Sequence, residues 1–381
     1  MSYILCVFVA FLPAEIEAGA GVEKHRYKAG LYLRLPKQAR EWNPDYFFRH
    51  PLIDAVITTF KWSKIEPKPG KYNFSDIDAV LDLAAKYKKG IILGFMTYDQ
   101  DPRDPATPDW LYDRGITNIG FRGGGVSKGT PISVPKTWDD AYLRAYGEFV
   151  RKIGQRYDNN PLIWYIAPAF GHLGNLTAQP SKGGSRAFLA EGWTADIWKT
   201  FCLQVVESYQ KAFPNTPLLA KSAPRLLRDR RRDHYSKESD EILIDVAKRR
   251  VSVVTGGLEP ELSALNKNNV VSRLARLSTL ALSGEIRVGI SDDWPLWVPE
   301  KRRQKQIMLA DRDEMGLKQE LRYAFGGVEG LDKTNISIIF VLHPEIDASH
   351  PENGAAQNKE VYRLLDAARK RLKEEDPIAK L

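Results

Sequence analysis

A single (β/α)8 TIM barrel is the fold class this sequence predicts, and three observations predict it. Eight short β-rich runs recur along the chain, and amphipathic helical runs separate them. The β runs are almost continuously apolar, as parallel strands covered on both faces are. Strand and helix alternate over the whole length, which indicates a closed parallel barrel. A doubly wound open sheet is the alternative, but no Gly-rich phosphate fingerprint follows an early strand.

The strands are expected at 30–35, 55–60, 91–97, 162–168, 218–222, 251–255, 286–290 and 336–342. Between them, Ile77, Val80, Leu81 and Ala84 make one helical stripe, and Tyr142, Tyr146, Phe149, Val150 and Ile153 make another. Further helices run over 197–209, through Val271, Leu274, Leu277 and Leu280, and from Lys359 into the charged tail. Ser75 before Asp76 and Asp78, and Thr137 before Asp139 and Asp140, are expected to cap their helices. Gly123–Gly125 has no strand before it and reads as a flexible loop.

At 381 residues and 43% hydrophobic composition the chain has enough apolar material for one large core. Tyr3–Leu12 is an apolar run too short to span a bilayer, and Ala18-Gly19-Ala20 follows as a small-residue cleavage pattern. Residues 1–20 therefore read as a signal peptide and 21–381 as the barrel, which places the protein outside the cytoplasm, secreted or periplasmic. No positively charged stretch precedes the apolar run. No later segment is apolar enough to span a membrane. The net charge of +8 is dispersed except for Arg225, Arg228, Arg230, Arg231 and Arg232. With only Tyr235 beside it, this run lacks the stacking aromatics of a nucleic-acid groove and reads as a solvated loop, with an anion or acidic-sugar contact as the functional alternative. Two cysteines, Cys6 and Cys202, exclude a disulfide framework and a cysteine metal cluster. Cys202 falls within a helical stripe and reads as a core thiol.

Barrel enzymes carry their chemistry at the carboxyl ends of the strands, so the search reduces to eight short readings. They yield Arg34; Lys61 and Trp62; Asp99 and Asp101 with Trp110; His172 and Asn175; Lys221 and Ser222; Glu259 and Glu261; Asp292, Asp293, Trp294 and Trp297; and His343, Glu345 and Asp347. Carboxylates beside indole rings suit saccharides, whose hydroxyl edges want polar partners and whose C–H faces want aromatic ones. Arg34, Trp62, Asp99, Trp110, His172, Asn175, Trp294, Trp297 and His343 are accordingly the expected carbohydrate contacts. No cofactor is called for.

The segment Trp62-Ser63-Lys64-Ile65-Glu66-Pro67-Lys68-Pro69-Gly70-Lys71-Tyr72-Asn73-Phe74 resembles the pattern after the second barrel strand in clan A glycoside hydrolases, the family 42 β-galactosidases among them. Thr107-Pro108-Asp109-Trp110-Leu111 is similar to their element after the third strand. The helix 142–156 and the turn Arg156–Pro161 resemble what introduces the fourth. The resemblance covers 29–175 and is topological beyond. It implies a TIM barrel that hydrolyses glycosides with a pair of carboxyl groups, whose separation sets retention or inversion. Glu66 reads as a carboxylate that bonds its own loop.

The catalytic positions depart from the family. Where clan A enzymes end the fourth strand in Asn-Glu, this chain has Gly174-Asn175-Leu176, and the Gly171–Asn175 turn holds no carboxylate. Glu259 or Glu345 is the expected substitute acid, with His172 a weaker one. Asp292 or Asp293, after the seventh strand, is the expected nucleophile or base. Three functions follow in order: a glycoside hydrolase acting on poly- or oligosaccharide, a sugar-binding barrel that has lost its acid, and a barrel enzyme of unrelated chemistry.

Overall fold

The computed structural model describes residues 28–34, 44–124, 127–223, 225–227, 237–256, 264–282, 284, 286–290, 321, 324–325, 335–342 and 349–374. The leader 1–20 and the arginines beyond Arg225 lie outside the described residues. Among the described residues there are ten strands: β1 (Gly30–Arg34), β2 (Ala55–Lys61), β3 (Gly90–Met96), β4 (Asn118–Arg122), β5 (Pro131–Pro135), β6 (Ile163–Ala167), β7 (Leu219–Lys221), β8 (Ser252–Thr255), β9 (Val288–Ile290) and β10 (Ile336–Leu342). Eight of them form one parallel sheet in the order β6-β3-β2-β1-β10-β9-β8-β7. A parallel bridge between Ile166 and Leu218 joins its two edges, with the Ile166 amide donating to the Pro217 carbonyl at 3.0 Å. The sheet is a TIM barrel.

Strand alternation sorts the apolar side chains into two cores. Tyr32, Ala55, Ile92, Tyr165, Leu219, Val254, Ile338 and Phe340 fill the barrel. Leu31, Leu33, Val56, Ile91, Leu93, Val253, Ile339 and Val341 face the helices. Those helices are α1 (Pro44–Arg49), α2 (Trp62–Ile65), α3 (Ser75–Tyr87), α4 (Trp110–Asp113), α5 (Asp140–Tyr157), α6 (Ser185–Ala190), α7 (Ala195–Ala212), α8 (Lys237–Ala247), α9 (Ala264–Leu282) and α10 (Lys359–Glu374). Cys202 is fully buried on α7, a core thiol.

The amino-terminal face is locked by charge. Asp54, ahead of β2, accepts from the Leu31 amide at 3.1 Å, from Arg369 at 2.7–3.1 Å and from Lys373 at 2.8 Å. The last helix is thereby tied beneath β1 and β2. Beside it, His50 Nδ1 accepts from the Leu52 amide at 3.3 Å and Nε2 pairs with Ser349 Oγ at 3.1 Å.

Two expected caps are replaced by near neighbours. Ser75 is the first residue of α3 and makes no cap; the Asn73 side chain receives its amide at 3.1 Å instead. The α5 cap is Asp139, accepting from the Ala141 amide at 3.2 Å, while Thr137 is buried two residues earlier.

The antiparallel β4–β5 hairpin between β3 and α5 was not expected from the sequence. Gly124, assigned above to a flexible loop, forms a bridge with Lys182 and donates to its carbonyl at 2.6 Å.

Candidate active site

The candidate site is the carboxyl-terminal mouth of the barrel, where barrel enzymes carry their chemistry. Inward-facing positions follow by alternation from the interior core: Tyr32 leads to Arg34, Ile57 to Lys61, Ile92 to Met96, Tyr165 to Ala167, and Leu219 to Lys221. Arg34 and Lys221 are half-buried at the ends of β1 and β7, four strands apart in a ring of eight and so across the mouth from each other.

Lys61 is held by Asp99 Oδ2 at 3.0 Å, by Asp104 Oδ2 at 3.1 Å and by the Asp104 carbonyl, which together occupy its three hydrogens. Burial opposes the lysine's charge, but the two carboxylates hold its pKa above the ordinary value. Burial lifts the Asp99 carboxyl above its ordinary range, with Lys61 pulling the other way. Asp99 also accepts from the Asp101 amide at 3.3 Å. Expected as a saccharide contact, Asp99 is instead committed to bracing the loop after β3 against β2.

Two of the four indoles expected as sugar platforms, Trp62 and Trp110, are core residues. Trp62 is 0% exposed, packed against Trp110, Tyr142, Tyr146 and Phe149 at centroid distances of 4.9–6.0 Å. Because Lys61 points inward, Trp62 must point outward into the helical layer. Trp110 is 8% exposed and donates to the Glu66 carbonyl at 3.0 Å. Glu66 bonds its own loop as expected, accepting from Trp62 Nε1 at 2.9 Å and from the Gly70 amide at 2.8 Å.

After β6 the chain turns sharply. The Gly171 amide donates to Asn175 and the His172 amide to Thr177, at 2.9 and 2.8 Å. Gly171 is required, since a Cβ there would lie 2.1 Å from the Thr177 carbonyl oxygen. His172 is 2% exposed. Asn175 turns its side-chain oxygen to the Thr177 amide at 2.8 Å, closing the turn. These two expected sugar contacts are thus turn residues, one buried and one with its acceptor engaged.

The hairpin completes this side of the mouth. Ser181 Oγ donates to the Gly124 carbonyl at 3.2 Å and Ser127 Oγ to Gln100 Oε1 at 2.8 Å, joining the loops after β3 and β6 to β4–β5. Gly183, at φ +94°, lies so close to Arg122 that a Cβ would meet its carbonyl oxygen at 2.5 Å. Sequence reasoning missed these residues; the alternation of Ile119 with Phe121 and of Ile132 with Val134 was the available signal.

Glu259, Asp292, Asp293 and Glu345, and with them Trp294, Trp297 and His343, lie outside the described residues. They follow β8, β9 and β10, whose carboxyl ends all open onto this mouth. The root of the β8 segment is fixed: Arg273, fully buried on α9, donates to Asp240 at 2.9 Å and to the Gly256 carbonyl at 2.8 Å. Burial raises the Asp240 carboxyl, with Arg273 opposing. Among the described residues no group of three or more His, Cys, Asp or Glu side chains is placed to hold a metal ion, and no helix is long and apolar enough to cross a membrane.

Residues 38–171 match the glycoside hydrolase family 42 model, described as β-galactosidase. Over that segment the chain is similar to the glycoside hydrolases of this family. The match spans β2 to β6 and the helices among them, the part on which the sequence motifs lie. The β-galactosidase LacZ of Lactobacillus acidophilus is 25% identical over 173 residues, 41% of this chain and 24% of that protein. LacZ of Heyndrickxia coagulans is 26% identical over 159 residues, 37% and 22% respectively. The chain therefore spans about a quarter of the length of these curated relatives. In three dimensions it is similar to the catalytic domain of β-amylase from Paenibacillus polymyxa, with a TM-score of 0.58, 9% identity and coverage of 90% of this chain and 99% of that one. Xylanase 10B from Thermotoga maritima superposes with a TM-score of 0.52 and 10% identity, covering 92% and 98%. At such identities the two structures speak to the fold.

Proposed function

We propose that this protein is a glycoside hydrolase acting on poly- or oligosaccharide at the carboxyl-terminal mouth of its barrel. The observation that carries the reading is the coincidence of the family 42 match with the β2, β3 and β6 walls of that mouth. Catalysis would use two carboxyl groups flanking the glycosidic bond through an oxocarbenium-like state. Glu259 or Glu345 would be the acid, and Asp292 or Asp293 the nucleophile or base. All four follow in sequence strands whose ends face the mouth. Arg34 is proposed as a saccharide contact from β1.

A second reading, a barrel that binds glycans without cleaving them, is favoured by one observation. The turn after β6 holds no carboxylate, and its His172 and Asn175 serve the turn itself. The two readings separate on amide variants. If the protein is a hydrolase, Glu259→Gln, Asp292→Asn or Asp293→Asn abolishes sugar release while leaving saccharide affinity within a few fold. Equal turnover in all three variants and in Glu345→Gln would remove this catalytic assignment.

A further inference from the structure

The seam where the first and last β/α units meet carries one inference more. There β1 pairs with β10, and α1 packs against the segment 349–357 that leads into α10. Two imidazoles lie in this contact, His50 at 0% and His350 at 1% exposure, in edge contact with ring centroids 5.1 Å apart. Each binds the other element. His50 Nε2 pairs with Ser349 Oγ at 3.1 Å; His350 Nε2 donates to the Tyr46 carbonyl at 2.9 Å, and its ring stacks on Tyr46 at 3.9 Å. Each also holds its own turn, His50 Nδ1 accepting from the Leu52 amide at 3.3 Å and His350 Nδ1 from the Glu352 amide at 3.2 Å. A ring nitrogen that accepts from an amide carries no proton, so both imidazoles are neutral with the hydrogen on Nε2.

We infer that this pair is an acid-sensitive clasp, in which uptake of a proton releases 349–357 from α1 while the rest of α10 stays docked. A proton at either Nδ1 points a donor at an amide donor in a dry contact, which breaks the turn that the ring holds. The partners of the two rings are a hydroxyl, a carbonyl and two amides, with no carboxylate among them to offset the charge. The acids nearby are engaged with other cations. Glu352 pairs with Arg49 of α1 at 2.9 Å, and Asp45 with Lys86 of α3 at 3.0 Å and with Tyr87. Lys89, just after α3, adds a cation, donating to the His50 carbonyl at 3.0 Å, and α10 presents the Tyr362 ring at 6.3 Å. Burial, then His350 and Lys89, accordingly lower the His50 pKa to about 3. The far end of α10 is tied separately, by Arg369 and Lys373 to Asp54.

The test is amide hydrogen exchange of the full chain at pH 6, 5 and 4, read by mass spectrometry and corrected for the intrinsic rate at each pH. In the released state the ring titrates at its ordinary value, whereas in the closed state His50 refuses the proton. Local opening therefore rises about seventyfold from pH 6 to pH 4. Amides of 349–357 and 50–53 should lose protection by about that factor, while those of 361–372 and of β1 and β10 keep theirs. The double variant His50→Gln/His350→Asn keeps an oxygen acceptor at both turns and cannot titrate, so its exchange should be flat over the same range. Arg49→Met, which removes an exposed ion pair of the same contact, should keep the acid dependence. Three results overturn the inference: protection of 349–357 that is independent of pH in the wild type, loss of protection in 361–372 and the strands in parallel with it, or an undiminished acid dependence in the double variant. If the double variant does not fold, the wild-type contrast between 349–357 and 361–372 decides.

Discussion

His50 gives the fold a defined weakness on the acid side. The ring is 0% exposed, between α1 and the segment before α10. Nδ1 accepts from the Leu52 amide, Nε2 pairs with Ser349, and His350 lies in edge contact at 5.1 Å. The Tyr362 ring is 6.3 Å away, and Lys89 donates to the His50 carbonyl at 3.0 Å. Burial first, then His350 and Lys89, push the His50 pKa from 6.5 down to about 3. Between those values the unfolded chain binds a proton that the folded chain refuses. Stability is therefore complete above pH 6.5 and falls as pH falls towards the folded pKa. At about 1.4 kcal/mol per pH unit, the loss is about 2 kcal/mol by pH 5 and about 3 kcal/mol by pH 4. Urea unfolding of wild type and His50→Gln at pH 7.5, 5 and 4 measures it. The wild type should lose more stability than the variant by these amounts, since other titrating groups are common to both. Parallel pH dependences in the two proteins would refute the assignment of a buried neutral imidazole.

Three further perturbations test the packing around the mouth. Trp62→Ala should cost about 3–5 kcal/mol in urea unfolding, whereas Trp62→Phe should leave saccharide affinity unchanged because the ring faces the helical layer. Arg273→Met strands the Asp240 carboxylate and should cost about 3–5 kcal/mol, with Arg273→Met/Asp240→Leu recovering most of it; an additive double variant would contradict the buried pair. Gly171→Ala should disrupt the turn after β6, read as faster amide exchange at His172 and Asn175, and unchanged exchange there would contradict the close approach to Thr177.

The barrel was legible because parallel strands buried on both faces announce themselves as apolar runs, and all eight fall where the runs are. Boundaries moved by a residue or two, as at 218–222 against Leu219–Lys221. The hairpin was not legible, because Asn118–Arg122 and Pro131–Pro135 are short and half-exposed, with a glycine-rich connection masking their alternation. The site was legible as a face more than as a set of residues. Trp62 and Trp110 stand beside strand ends in sequence, yet which way an indole points depends on parity. Counting inward positions from Ala55 and Ile57 places Lys61 in the barrel and Trp62 outside it. Asp99 illustrates the converse: its position beside the mouth was readable, but its commitment to Lys61 is a tertiary contact across two strand ends.

The central claim is hydrolysis, and the direct measurement is sugar release. Residues 21–381 would be incubated with a panel of neutral and acidic polysaccharides and aryl glycosides, and products read by mass spectrometry. The account predicts a released saccharide from at least one substrate, lost in the Asp292→Asn, Asp293→Asn or Glu259→Gln protein. A folded sample that binds a glycan and releases nothing across the panel would contradict it and leave a sugar-binding barrel.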